Sequence, residues 1–106
     1  MLNLRKKLEQ FNVTLEQLDA LGGDIDPDTA DELDDLNAEL EDLLLMLSEI
    51  KPTGDDWQEE VSGIMEDIQA LSEDYAALGA GIPDVLPLAA HLRITATAAI
   101  ESLEAE

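Results

Sequence analysis

His91 is the only imidazole in the chain, and cysteine is absent. Thiol nucleophiles, disulfides, thiolate metal sites and paired-histidine metal sites are therefore excluded. The Glu-x-x-His pattern of bundle di-metal sites needs an acid three residues before the histidine, and Leu88 stands there. A catalytic histidine also needs a nucleophile and an orienting partner, and neither is identifiable around His91. His91 reads as a structural or surface residue.

The carboxylates are the other candidates for chemistry. Asp34-Asp35, Asp55-Asp56, Glu59-Glu60 and Glu73-Asp74 are adjacent acid pairs. Acid–base catalysis requires a carboxyl in a desolvated pocket with a displaced pKa. These pairs fall off the apolar positions and read as solvated faces. The run Asp24-Ile25-Asp26-Pro27-Asp28 places acids like the first half of a calcium loop, with Asp35 at the twelfth position. The match fails at Thr29, where such a loop needs glycine, and at Asp31, where it needs an apolar residue. An acid-rich helix start explains the run better. No catalytic residue, metal site or cofactor site is expected, and the chain does not read as an enzyme.

Among 106 residues, 26 are acidic and five are basic (Arg5, Lys6, Lys7, Lys51 and Arg93), a net charge of −21. Phosphate contacts need basic patches, so direct binding to nucleic acid or to anionic membranes is not expected. No apolar run approaches the roughly 18–20 residues of a membrane span. Glu9, Gln10 and Asn12 follow the basic start at once, so no secretory leader is expected and the location reads as cytoplasmic or virion.

Any core must be aliphatic, because only 3% of residues are aromatic against 45% hydrophobic. Apolar periodicity is helical throughout. Leu4, Leu8 and Phe11 share a face. Thr14 with Gln17 then forms a capping-box pattern, and Val13 with Leu18 a hydrophobic staple, which favours two short helices over 2–11 and 15–21, while the continuous heptad phase of Leu4, Leu8, Phe11, Leu15 and Leu18 is what one unbroken helix would show. Gly22-Gly23 closes that segment. Asp26-Pro27 opens the next helix, whose seam is Leu33, Leu36, Leu40, Leu43, Leu47 and Ile50. Pro52-Thr53-Gly54 makes a turn, and Thr53 or Asp55 caps a second long helix with the seam Trp57, Val61, Ile64, Ile68, Leu71, Tyr75 and Leu78. Gly79 to Gly81 end it. A last helix over 84–104 carries apolar residues in several directions.

The fold class expected is all-α. A small helical bundle is built on a long antiparallel coiled-coil-like hairpin (27–50 and 55–79), with short N-terminal helices over 2–21 and an apolar C-terminal helix, as one helical domain over 1–106. Leu36, Leu40, Leu43 and Leu47 should pack against Ile64, Ile68, Leu71 and Tyr75.

Leu45 and Met46 fall outside the seam, and Ile94 and Ile100 lie on the last helix with more apolar surface than one hairpin covers. Surplus apolar surface marks a partner interface, so Leu45, Met46, Ile94 and Ile100 are interface candidates. Trp57 is a fifth, either as an anchor or as a lid on the bundle end. These features imply a non-catalytic structural or assembly protein acting through helix-mediated association, as a homo-oligomer or with a protein partner. A virus-particle component would suit it. The acidity fits a halophilic source, where salt screens self-repulsion, or a surface that steers a basic partner. The alternative is an acidic mimic of nucleic acid that inhibits a DNA- or RNA-binding enzyme, which should concentrate charge on one face.

Overall fold

A computed structural model describes residues 4–21, 26–51 and 56–105. These residues form four helices: α1 (Leu4–Ala20), α2 (Pro27–Glu49), α3 (Trp57–Ala77) and α4 (Val85–Ala105), with a short 3₁₀ turn at Leu78–Ala80. The proposed Gly22-Gly23 terminator, Asp24 and Ile25 of the acid-rich run, the Pro52-Thr53-Gly54 turn and the Thr53 or Asp55 cap lie outside the described residues.

Each helix packs against two others: α1 on α2 and α4, and α3 on α2 and α4. Helices successive in the chain are neighbours in the bundle, and α1 also adjoins α4. The result is a bundle of 45 × 21 × 18 Å. The turn after α3 sits over the first turn of α2, since a side chain at Gly81 would lie 3.7 Å from Thr29. The most extensive packing is between α3 and α4, not between α2 and α3. Small residues explain this, because Ala89, Ala96 and Ala99 of α4 and Ser72 of α3 are all buried and let the two backbones approach.

The N-terminal segment corrects the two-helix expectation. One helix runs unbroken from Leu4 to Ala20. Thr14 does not cap a new helix; its hydroxyl donates back to the Gln10 carbonyl at 3.1 Å, within the same helix. The staple fails as well, since Val13 is exposed while Leu18 is buried. Phe11, Thr14 and Leu18 are all buried at helical spacing, so core burial along this face outweighs the local capping signals.

Helix α2 starts where Asp26-Pro27 predicts, with Pro27 at its first position and the Asp26 carbonyl accepting from Ala30 N–H at 2.8 Å. Its buried positions are Leu33, Asn37, Leu40, Leu44 and Leu47. Leu36, Leu43 and Ile50 are only half-buried against the core. The core face is thus turned slightly from the expected seam, keeping Leu33, Leu40 and Leu47 and replacing the rest by Asn37 and Leu44. On α3, Ile64, Ile68, Leu71 and Tyr75 are buried as expected, joined by Met65 and Ser72 toward α4. The 3₁₀ turn brings Gly79 under Leu86, where a Cβ would sit inside the leucine side chain. Glycine there leaves room for the Leu86 side chain and does not serve a left-handed backbone, since no described glycine has positive φ. Among the described residues, no helix is long and apolar enough to cross a membrane.

Candidate functional site: the acidic groove between the second and third helices

The helix order sorts the charge. Over its span α1 carries three acids and three cations, and α4 two acids and one cation. Helix α2 carries nine acids and α3 six, with no cation on either. Because α1 adjoins α4 and α2 adjoins α3, the bundle has a near-neutral half and a half with a net charge of −15 within its helices.

Helices α2 and α3 meet along an outward-facing groove made of three clefts in line. The first is lined by Glu32, Asp35, Leu36, Asp74, Ala77 and Leu78. The second, of about 340 Å³, shares Asp74 and adds Glu39, Asp42, Leu43, Asp67, Ala70 and Leu71. The third shares Asp67, opens to about 780 Å³, and is floored by Met46, Ile50, Gly63 and Ile64, with Glu49, Lys51, Glu59, Glu60 and Glu66 around it. The floor is apolar because the half-buried leucines displaced from the core face lie there. The rims are acidic because the residues flanking a core stripe at three- and four-residue spacing are Asp and Glu on both helices.

Gly63 stands inside an α-helix, where glycine costs about 1 kcal/mol relative to alanine. Among the described residues no packing contact requires it: a Cβ at Gly63 would meet none of their atoms within 4 Å outside its own helix backbone. It is exposed on the floor of the widest cleft.

The sequence-derived interface candidates do not share one surface. Leu45, Met46 and Ile94 are exposed at 58%, 47% and 63%. Met46 lines the groove, Leu45 is one residue before it and so turned about 100° away, and Ile94 is on α4. Ile100 and Trp57 are half-buried and packed against the core. Among the described residues, the large apolar side chains exposed on the neutral half are Val13, Leu86 and Ile94. Of the α4 apolar residues, Leu86 and Ile94 are thus left on the surface, while Val85, Ala89, Leu92, Ala96 and Ala99 are buried. His91 is exposed, and the acid pairs Asp34-Asp35, Glu59-Glu60 and Glu73-Asp74 are exposed. Among the described residues no group of three or more His, Asp or Glu side chains could hold a metal ion.

One polar cluster inside the bundle was not anticipated. The Tyr75 hydroxyl donates to Asn37 Oδ1 at 2.7 Å, and Asn37 Nδ2 donates to Asp19 Oδ1 at 2.9 Å. The chain of bonds ties α3 to the middle of α2 and to the last turn of α1. Burial pushes the Tyr75 phenol well above its ordinary range, and the negative charges of Asp19 and Glu39 push it further. The hydroxyl keeps its proton and remains a donor. Every buried side-chain nitrogen and oxygen among the described residues has a partner, so this cluster reads as a satisfied register device, in the manner of a buried asparagine in a helical seam. Two cues pointed to it: Tyr75 is an aromatic whose tip needs a partner when buried, and Asn37 interrupts a leucine-rich stretch.

Compared with protein-family models, with curated proteins and with solved structures, the chain finds no match.

Proposed function

We propose that the chain is a non-catalytic assembly protein that works by association, docking its acidic α2–α3 face against a basic surface of a protein partner. The observation that carries this reading is the segregation of charge: a net −15 on two adjacent helices, arranged as carboxylate rims beside an apolar floor. Acidity that served only solubility in high salt would have no reason to spare α1 and α4. A charged rim around an apolar strip is the usual anatomy of an interface, with the rim setting encounter rate and the strip supplying affinity. Self-association through this face is opposed by its own charge.

A lysine-rich peptide is the probe. Removing four groove carboxylates together (Glu39→Gln, Asp42→Asn, Asp67→Asn and Asp74→Asn) should weaken its binding about tenfold or more by calorimetry at low salt. Removing four from the other half (Glu9→Gln, Glu16→Gln, Asp84→Asn and Glu101→Gln) should have little effect. Equal losses in the two sets would mean that binding follows net charge and not a face, and would overturn the reading.

One observation favours mimicry of nucleic acid as a second reading. Fifteen acids along helices about 33 Å long give roughly one charge per 2.2 Å, against about one per 1.7 Å of duplex DNA. On this reading the chain should displace DNA from a DNA-binding enzyme, with the same salt dependence as DNA itself.

A further inference from the structure

We infer that the α2–α3 groove seats one basic amphipathic helix of a partner protein, with Gly63 as the point of closest backbone approach; this rests on the reading of the acidic face given above. The floor runs along α2 from Leu36 past Leu43 to Ile50 just beyond its end, about 21 Å or four helical turns, and is matched on α3 by Leu71, Ile64 and Gly63. Apolar anchors at three- and four-residue spacing on an incoming helix would meet that floor. Lysines or arginines on both of its flanks would then face Glu32, Asp35 and Asp42 on one rim and Glu60, Asp67 and Asp74 on the other.

The groove chemistry selects this occupant. An extended segment would leave its own backbone N–H and C=O groups without partners, because both groove walls are helices whose backbone is already bonded. A nucleic acid is repelled by the rims. A small polycation would use the carboxylates and leave the apolar floor wet. A second copy of this chain does not fit either: α4 offers the single cation Arg93, and the cations of α1 are confined to Arg5, Lys6 and Lys7 in its first turn. Gly63 is the independent observation. A residue unfavourable to the helix, with open space where its side chain would be, keeps the widest part of the floor flat, as close helix–helix approach requires.

The test uses two labelled peptides of about 18 residues with identical composition. One has leucines on a single helical stripe flanked by lysines and arginines. The other has the same residues in an order that breaks the stripe. Fluorescence anisotropy at physiological salt should show the striped peptide bound at one per protein, about tenfold tighter than its scrambled partner, with a gain in helical circular dichroism. Gly63→Leu should weaken the striped peptide by about tenfold or more while raising the thermal midpoint of the protein. Equal binding of both peptides, unmoved by Gly63→Leu, would sink the helix inference and leave charge-driven docking standing. Failure of both peptides to bind even at low salt would remove the acidic docking face as well. A lowered midpoint in Gly63→Leu would show that the fold itself needs this glycine, and would overturn its assigned role.

Discussion

Tyr75 of α3 and Asn37 of α2 are joined by a 2.7 Å hydrogen bond inside the core. Tyr75→Phe leaves Asn37 Oδ1 without its donor, and Asn37→Leu leaves the phenol unpaired. Each should cost about 1–3 kcal/mol. The double variant removes both polar ends and returns an apolar contact, so it should cost less than the two singles added. Urea unfolding of all four proteins closes the cycle, and strictly additive losses would show that the bond is not a coupled unit.

The same tyrosine sets an alkaline limit. Its folded pKa is raised by burial and then by Asp19 and Glu39, while in the unfolded chain it ionises near the ordinary value of about 10. Above that pH the unfolded state has lost a proton that the folded state still holds, so stability is fully present below about pH 10 and falls as pH rises toward the folded value. Tyr75 is the only tyrosine, so phenolate absorbance reports it alone. Absorbance and helix loss should rise together, and Tyr75→Phe should flatten the alkaline fall. Phenolate appearing while the helices persist would contradict this.

Leu40 and Ile68 are wholly buried, whereas Leu43 is half-buried on the groove floor. Leu40→Ala and Ile68→Ala should each destabilise by about 2–5 kcal/mol, and Leu43→Ala by visibly less. Denaturant midpoints decide it, and a Leu43→Ala loss equal to that of Leu40→Ala would place the seam where the leucine spacing first suggested.

Repulsion among the acids of α2 and α3 should yield to salt. The thermal midpoint is expected to climb steeply between low and molar sodium chloride, by about 4–8 °C for each kcal/mol of repulsion screened. A midpoint indifferent to salt would argue against adaptation to a saline cytoplasm.

The all-helical class, and helices α2, α3 and α4 nearly to the residue, were legible because each has its own punctuation: Asp26-Pro27, the glycines after Leu78, and apolar spacing of three and four. The break near Thr14 was misread because a threonine hydroxyl can cap forward or bond back to the residue four before it, and nearby sequence does not choose. Burial of Phe11, Thr14 and Leu18 together chose it. The α2 core face was read one position off because Leu33, Leu40 and Leu47 belong to two frames at once. Leu36 and Leu43 look better in the core than Asn37, until Tyr75 supplies a partner from another helix. The groove was invisible for a related reason, since it exists only once two helices are placed side by side. Gly63 in the middle of an apolar-periodic helix was its one mark in the sequence.

The acidic helices are neighbours in the bundle, not diagonal partners. That displaces the centre of charge from the centre of mass. A cationic body approaching from any side exerts a torque that turns the α2–α3 half toward it before contact. Had the same two helices stood on the diagonal, the identical net charge would have had no preferred side. The order of four helices thus determines which way the molecule faces when it arrives.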